Sequence, residues 1–305
     1  MSPKKRLLHL VQQIKKNGFT KSIKILEAGI STRVPEICKV QTAFGNIYVL
    51  KNDSLYKRLL AADAYESHFV QLVQLILMDN DHVIDLGANV GLHTIAMAKT
   101  VNKGSVIAFE PLSLIFPLLQ LSLIENKIHN VQAYKLAVSD ATGCVLEMES
   151  IPFNLDSYNV GRSRISSSGI GDVVLSVCLD DIDLPKIAFI KIDIQGYEHI
   201  ALRGMKELLY RDRPLLFIEI EEYYLEKAGT SSKLLIEYLF SLGYVLYRIK
   251  SKYPCDHFAV PRERVVEIET NFLPKLIFPV DKLEGTYIDL IFNSSAYVYS
   301  EYKVS

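Results

Sequence analysis

An aspartate and two glycines follow directly on a short apolar run, and their spacing defines the first candidate site. The segment HVIDLGANVG at residues 82–91 ends in D-x-G-x-x-x-G, with Asp85, Gly87 and Gly91 at the fixed positions. The glycines allow the backbone to approach a ligand without a clash of a Cβ atom. The spacing differs from the G-x-G-x-x-G of a dinucleotide-binding turn, and a carboxylate beside the turn disfavours a pyrophosphate. This turn therefore suits a cationic ligand.

A second acid stands at the end of the next apolar run, AFEP at residues 108–111, where Glu110 lies nineteen residues after Gly91. A carboxylate at the end of a second strand can accept hydrogen bonds from both hydroxyls of a ribose. Pro111 cannot extend a sheet ladder, so it fixes the exit from the strand. Asp85 and Glu110 together predict an adenosyl ligand with a cationic group and no phosphate clamp. We therefore predict S-adenosylmethionine as the cofactor.

A third polar cluster follows the apolar run at residues 187–192. Methyl transfer from a sulfonium mainly requires alignment of donor and acceptor and, for a hydroxyl acceptor, removal of a proton. Lys191 and Asp193 lie two positions apart and so share one side of the strand, and Glu198 and His199 begin the next helix. Glu219 ends the following apolar strand. We predict all five as catalytic candidates, with Asp193 anchoring the acceptor hydroxyl or the cofactor amine and Glu198 or His199 as base.

Structural alternatives stay open for this cluster. Glu198 could serve only the helix N-terminus, where an acid is favourable by about 0.3–1 kcal/mol. Lys191 and Asp193 could form a structural ion pair. Asp180 and Asp181 could add to a cation site, but no ligand spacing requires one, so no metal is predicted.

The elements that must position these residues alternate between strand and helix from residue 82 onward. Apolar runs such as 188–192 and 215–220 indicate burial on both faces of a sheet. Repeated βα units imply right-handed crossovers, so we predict an α/β fold: a doubly wound, mostly parallel Rossmann-like sheet with helices on both faces. The predicted strands are 82–86, 105–109, 131–138, 144–148, 187–192, 215–220, 244–248, 257–260 and 286–292. The predicted helices are 65–77, 90–100, 112–125, 198–210 and 232–242.

Three parts of the chain are distinguished. Residues 1–60 form an extension with a basic helix and a hairpin at Thr42–Leu50 that turns at Gly45–Asn46. Residues 61–261 form the main domain, and residues 262–305 form a β-like extension. Within the main domain, residues 150–172 are rich in Ser, Gly and Asn and predict a loop that could close over the acceptor.

Composition limits the partners and the compartment. The 305 residues carry 34 basic and 35 acidic side chains, a formal net charge of −1, which disfavours a nucleic-acid partner. The four cysteines lie far apart without a CxxC pair, as expected of reduced thiols in the cytoplasm. No segment approaches the roughly 18–20 apolar residues of a membrane span. Residues 1–26 hold seven basic side chains and no acid, which suits either a solvated helix or peripheral contact with an anionic membrane.

The motifs resemble those of the FkbM-type methyltransferases, which depend on S-adenosylmethionine. The resemblance runs from about residue 65 to about residue 220. It rests on VIDLGANVGLHT at 83–94, AFEP at 108–111, AVSD at 137–140, KIDIQGYEHIALRGM at 191–205 and RPLLFIEI at 213–220. Cys178 stands where the family often has Thr, and Gln195 where Glu is frequent, although Gln is also seen there. The residues that the resemblance assigns to the cofactor are Asp85, Gly87, Ala88, Asn89, Gly91, His93, Glu110, Pro111 and Ala137.

The resemblance implies methylation of a hydroxyl on a sugar, a glycan or a secondary metabolite. Two other classes stay open. One is a binding or scaffold protein in glycan assembly that keeps the fold but not the reaction. The other is a nicotinamide-dependent oxidoreductase, which the D-x-G-x-x-x-G turn disfavours.

Overall fold

The computed structural model describes residues 36–61, 67–149, 164–165, 172–250, 255–271 and 287–290. The strands are β1 (Ile37–Thr42), β2 (Gly45–Leu50), β3 (His82–Leu86), β4 (Ser105–Phe109), β5 (Val131–Tyr134), β6 (Ala137–Val138), β7 (Val145–Glu147), β8 (Val173–Val177), β9 (Ile187–Ile192), β10 (Leu215–Glu219), β11 (Tyr244–Lys250), β12 (Asp256–Pro261) and β13 (Tyr287–Leu290). The α-helices are α1 (Ser54–Ala61), α2 (Ser67–Ile76), α3 (Leu92–Thr100), α4 (Phe116–Glu125), α5 (Glu198–Arg203), α6 (Lys206–Asp212), α7 (Glu222–Lys227), α8 (Ser232–Ser241) and α9 (Val265–Asn271).

The larger sheet of the described residues has eight strands in the order β13-β11-β12-β10-β9-β3-β4-β5. Neighbouring strands from β10 to β5 are parallel, and β12 runs antiparallel between β10 and β11. β3 lies between β4, which follows it, and β9, which comes much later in the chain. The strand order therefore reverses at β3, and sheets of this type bind ligands at such a switch point. The predicted doubly wound, mostly parallel sheet is confirmed.

Helices cover both faces of this sheet because the strands bury alternate side chains on opposite sides. Val83 and Phe217 pack in one cluster with apolar residues of α2 and α3. Ile84 and Ile218, the next residue on each strand, pack in another cluster with residues of α5, α6 and α8. The central strands are buried on both faces, as their unbroken apolar sequence predicts.

A β1–β2 hairpin forms, but it spans Ile37–Leu50 rather than Thr42–Leu50, and its turn lies at residues 43–44 rather than at Gly45–Asn46. Thr42 pairs with Gly45 across the strands, and its hydroxyl donates to the Gly45 carbonyl and accepts from the Phe44 amide. A short side-chain oxygen that bonds nearby backbone is itself a turn-forming device. Gly45 is therefore the first residue of β2, where its φ of +136° brings it close to α4.

Two predicted elements are each divided in the structure. The predicted helix 198–210 is α5 followed by α6, because Gly204 lies against backbone, where a Cβ atom would come within 1.9 Å of the Ser139 carbonyl. The Asp180 carboxylate accepts hydrogen bonds from the amides of Glu207 and Leu208 and so starts α6 anew.

The predicted strand 131–138 is β5 followed by β6, and the two belong to different sheets. β5 pairs with β4, whereas β6 joins a three-stranded sheet in the order β6-β8-β7. A run of strand-forming residues does not reveal which neighbour each half will find. The elements α1, β8, α7 and α9 were not predicted.

Several predictions fall outside the described residues. These are the basic helix of residues 1–26, most of the insert at 150–172 and most of the tail after residue 271. Among the helices that the structure does describe, none has the length and apolar character to cross a bilayer.

Asn126 at the end of α4 holds the hairpin against that helix. Its Oδ1 accepts from the Asn46 amide at 3.0 Å, and its Nδ2 donates to the Asn46 carbonyl at 2.6 Å and to the Ser122 carbonyl at 2.7 Å. We expect Asn126→Ala to lower the free energy of unfolding by about 1–3 kcal/mol, since each such hydrogen bond contributes roughly 1 kcal/mol. Urea denaturation would measure this, with exposed Asn102→Ala as a control that changes stability by less than about 0.5 kcal/mol. Equal effects of the two variants would contradict this account of the hairpin.

Candidate functional site

A cavity opens at the carboxyl ends of β3, β4 and β9, at the switch point of the sheet. Mostly apolar walls with a few polar groups are the usual lining of pockets that hold small organic ligands. The lining residues are Leu86, Gly87, Asn89, Phe109, Glu110, Pro111, Leu112, Leu136, Ala137, Val138, Met148, Ile165, Asp193, Ile194, Gln195 and Tyr197.

Asp85 lies beneath the first turn and does not line this cavity. The residue is fully buried, its Oδ1 is 3.1 Å from Lys191 Nζ, and its Oδ2 accepts a 2.6 Å hydrogen bond from the Thr94 hydroxyl. Lys191 also donates to the carbonyls of Leu86 at 3.3 Å and Gly87 at 3.0 Å. This position does not support the predicted contact of Asp85 with a cationic ligand, because a buried lysine already neutralises the carboxylate.

Lys191 belongs to the same buried arrangement and does not line the cavity, which favours the structural alternative. Only 2% of its side chain is exposed, and it ties the end of β9 to the turn after β3. The expected ion pair between Lys191 and Asp193 is long, at 3.9 Å, so Asp85 is the main partner of Lys191.

The first turn is held close to the turn after β9. Gly87 has a φ of +78°, and a Cβ atom on it would come within 1.8 Å of the Asp193 carbonyl. The amides of Gly87 and Ala88 both donate to the Phe109 carbonyl at 3.0 Å. Gly91 has a φ of +95° at the start of α3, and a Cβ atom there would meet Leu119 at 2.7 Å. Glycine is therefore needed at both positions for conformation and for space.

Glu110 faces the cavity from the end of β4, as predicted. Its two carboxylate oxygens accept from the amides of Asn89 at 2.8 Å and Leu112 at 2.9 Å. Burial raises its pKa to about 7, although these two hydrogen bonds and the Lys191 charge act in the opposite direction. The backbone thus fixes the carboxylate in place while each oxygen keeps a further lone pair.

Asp193 lines the cavity from the end of β9 with its side chain 37% exposed. Its Oδ1 accepts a 3.0 Å hydrogen bond from Gln195 Nε2. The same Nε2 donates at 2.7 Å to Glu219, which is buried at the end of β10. The structure therefore brings two of the predicted catalytic acids together through an amide.

Glu198 is buried and serves the backbone of its own turn. Its Oε1 accepts from the amides of Ile194 and Gly196, both at 3.1 Å, and burial raises its pKa to about 7. These contacts favour the structural alternative over the role of base.

His199 faces away from the cavity. Its Nδ1 lies 2.6 Å from the Thr230 hydroxyl, its ring packs against Tyr238, and burial lowers its pKa. Its position does not support the predicted role of base.

Of the other residues assigned to the cofactor by resemblance, Asn89, Pro111 and Ala137 line the cavity. Ala88 lies under the turn, where it is buried. His93 does not line the cavity and stacks on Phe69 with ring centroids 4.0 Å apart.

Gln195 and Tyr197 line the cavity but were not among the predicted site residues. The sequence marks Gln195 only as a departure from the family pattern. Its place two residues after Asp193 is the signal that could have identified it as a site residue. The Tyr197 hydroxyl lies 3.4 Å from the Ser139 hydroxyl, a contact between residues 58 apart that no local pattern reveals.

No group of three or more metal-ligating side chains forms among the residues that the structure describes. Asp180 caps α6, and Asp181 accepts a 2.6 Å hydrogen bond from the Thr142 hydroxyl. Both acids that were weighed as cation ligands therefore have structural partners.

The residues of the cavity fit an adenosyl group. Glu110 presents a carboxylate for ribose hydroxyls, and Leu112, Leu136 and Ala137 supply apolar surface for a flat base. Gly87 brings the chain close to the cavity without a side chain. The described first turn has glycines at positions 87 and 91 rather than the G-x-G-x-x-G cradle of a pyrophosphate-binding turn.

The described sheet is parallel except for one strand inserted antiparallel near an edge. A glycine turn follows its first strand, and an acid follows its second. This combination defines a methyltransferase domain of the S-adenosylmethionine-dependent class. The family model for the methyltransferase FkbM domain matches residues 85–246, just over half of the chain. The chain belongs to this family, and its cofactor is S-adenosylmethionine.

Known proteins resemble parts of the chain. It is 24% identical over 149 residues to "Methyltransferase 1" of Beauveria bassiana (strain ARSEF 2860), an alignment that covers 42% of this chain and 60% of that protein. The chain thus spans less than two thirds of that curated relative.

Solved structures also resemble it. A methyltransferase FkbM from Methylobacillus flagellatus KT is 19% identical, with a TM-score of 0.44 and coverage of 67% of this chain and 52% of the other. M. jannaschii TYW2 in complex with AdoMet is 15% identical, with a TM-score of 0.39 and coverage of 74% and 84%.

The close approach at Gly87 gives a prediction with a matched control. Gly87→Ala should destabilise the fold by more than about 2 kcal/mol, because it adds a collision with the Asp193 carbonyl to the strain of a left-handed backbone. Gly143 has a similar φ of +80° but nothing within 4 Å of an added Cβ atom, so Gly143→Ala should lose only about 1–2 kcal/mol. Urea denaturation compares the two, and equal losses would show that space at Gly87 is not limiting.

Glu198 should make stability fall as pH rises. Burial raises the pKa of the folded carboxyl to about 7, whereas the unfolded one has its ordinary pKa of 4.5. The folded state then binds more protons between these values, so the free energy of unfolding decreases across this window by up to about 3 kcal/mol. Glu198→Gln should flatten that part of the profile measured by denaturation at several pH values. Exposed Glu226→Gln should leave it unchanged, and a Glu198→Gln profile identical to wild type would refute this assignment.

Proposed function

We propose that the protein transfers the methyl group of S-adenosylmethionine to a hydroxyl of a sugar, a glycan or a secondary metabolite in the cytoplasm. Residues 61–261 would be the catalytic domain, and residues 1–60 and 262–305 its extensions. The observation that carries the proposal is the placement of Glu110 and Asp193 in one cavity, on two different strand ends.

Each end of this cavity has a separate task. Glu110 would accept hydrogen bonds from the ribose hydroxyls, with its carboxylate already fixed by the amides of Asn89 and Leu112. Leu112, Leu136 and Ala137 would cover the adenine. When bound, S-adenosylmethionine supplies a methyl group already activated by its sulfonium.

Asp193 is the predicted catalytic candidate that lines the cavity and is partly exposed. Its carboxylate would accept the hydroxyl proton as the oxygen of the acceptor forms its bond to the methyl carbon and the bond from sulfur to that carbon breaks. Glu198 and His199 are turned to other partners, which leaves Asp193 as the group best placed for this proton.

Glu110→Gln should weaken S-adenosylmethionine binding by about 1–3 kcal/mol through lost charged hydrogen bonds. Wild-type affinity should also rise as pH increases through about 7, because the ionised carboxylate is the form that accepts both hydroxyls. Titration calorimetry between pH 6 and 8 would measure both effects. Exposed Glu226→Gln should retain the affinity and its pH dependence, and an unchanged affinity in Glu110→Gln would show that Glu110 does not hold the ribose.

A radiolabelled methyl-transfer screen against cell glycans and small metabolites tests the reaction itself. Absence of S-adenosylmethionine binding would overturn the proposal, and binding of NADH in its place would favour the oxidoreductase. Binding without transfer to any hydroxyl would favour the scaffold protein.

A further inference from the structure

Gln195 occupies a backbone conformation that its side chain does not favour. Its φ is +54°, in the left-handed region, and it precedes Gly196 with a φ of +98°. A side chain other than glycine, asparagine or aspartate is uncommon there, and such strain is concentrated at ligand sites. The turn thus keeps a strained glutamine at a position where its side chain lines the cavity.

The orientation of the Gln195 amide is set by its two neighbours. Nε2 donates to Asp193 Oδ1 at 3.0 Å and to Glu219 Oε2 at 2.7 Å. Both partners are carboxylate oxygens, which accept, so the NH₂ end of the amide must face them. The carbonyl oxygen Oε1 is therefore the end of the Gln195 amide that neither carboxylate contacts.

That carbonyl oxygen is buried and accepts no hydrogen bond from any described residue. Gln195 is only 9% exposed, so water has little access to this oxygen. A buried acceptor without a donor is unfavourable, and natural proteins usually satisfy such a group. A donor from a bound molecule would satisfy it.

We infer that Gln195 Oε1 and Asp193 form the wall that binds the methyl acceptor. This wall selects groups that donate hydrogen bonds, such as hydroxyls and amines, and disfavours carboxylates and phosphates. The inference rests on the proposed function and names the acceptor chemistry of that same site. Gln195 is a specificity residue in this scheme, and through its amide it also positions the Asp193 carboxylate.

The charges around the cavity agree with this selection. The described lining residues include Glu110 and Asp193 but no lysine, arginine or histidine. Lys191 is committed to Asp85 and to two backbone carbonyls, and Arg164 pairs with Glu149 at 3.3 Å. An anionic acceptor would meet like charge here without a compensating cation, whereas a hydroxyl or an amine would meet only acceptors.

A pair of cofactor analogues tests this wall without knowledge of the natural acceptor. The acceptor must lie next to the transferred methyl group, in line with the bond that breaks. Sinefungin carries a primary amine in place of the methylated sulfonium, and S-adenosylhomocysteine carries a neutral thioether. The amine would reach toward the acceptor wall, so the ratio of the two dissociation constants reports on that wall alone.

Gln195→Met should reduce the preference for sinefungin over S-adenosylhomocysteine by about 10-fold or more, the effect of losing a hydrogen bond to a charged donor. Gln195→Glu should keep or increase the preference, because a proton shared with Asp193 and Glu219 replaces the amide donors and an acceptor oxygen remains where Oε1 lies. Exposed Gln120→Met, on α4, provides the matched control and should leave the ratio unchanged. Calorimetry gives the dissociation constants, and thermal melting followed by circular dichroism establishes that each variant is folded.

The outcomes separate the two proposals. Wild-type protein that fails to bind S-adenosylmethionine overturns the proposed function and this inference with it. Wild-type protein that binds the cofactor, with a ratio that neither variant alters, overturns the inference alone. If Gln195→Met does not fold, Gln195→Glu decides: a lower ratio than wild type refutes the wall, and an equal or higher one supports it.

Discussion

A lysine buried under the first turn of the sheet is the constraint on which the cavity depends. Lys191 Nζ meets the Asp85 carboxylate at 3.1 Å and the Gly87 carbonyl at 3.0 Å. It thereby joins two adjacent strands at the edge of the sheet where the cavity opens. Removal of one partner of such a buried pair typically costs about 3–5 kcal/mol, because the other charge stays buried alone. The turn after β3 and the turn after β9 are therefore fixed relative to one another before any ligand arrives.

Two other acids of the site fix turns through hydrogen bonds from backbone amides. Glu110 and Glu198 each accept two backbone amides, and each thereby fixes the loop that follows a strand. The difference lies in what else each carboxylate meets: Glu110 lines the cavity, whereas Glu198 is enclosed by its own turn. Rigid strand ends with fixed acids give a preorganised site, which reduces the entropy lost when a ligand binds.

Sequence patterns predicted the strands around the site better than the directions of the side chains. The bounds of β3, β4 and β9 agree with prediction because unbroken apolar runs between polar turns leave little freedom in strand length. Helix division at Gly204 was missed because its cause is a carbonyl from residue 139, distant in sequence. Tertiary contacts of this kind override local periodicity.

The same reasoning explains which of the predicted site residues line the cavity. Glu110 and Asp193 follow strand ends, and the carboxyl edge of a parallel sheet brings such residues together whatever the loops do. Asp85 lies one residue inside the end of β3 and therefore points into the protein, where Lys191 from β9 meets it. His199 lies one residue past Glu198 on α5, and one residue on a helix turns a side chain by about 100°.

The departure at position 195 is best understood from the charge that surrounds it. An acid there would stand beside Asp193 and Glu219, and three carboxylates at hydrogen-bond distance repel one another unless a proton or a cation lies between them. The amide of Gln195 supplies two N–H donors to these acids without adding charge, so the cluster is held together by this chain alone. The glutamine therefore preserves the geometry of Asp193 and changes the remaining oxygen from a charged acceptor to a neutral one. Compared with an acid, the glutamine at position 195 alters what the wall can bind and leaves the Asp193 carboxylate in place at the cavity.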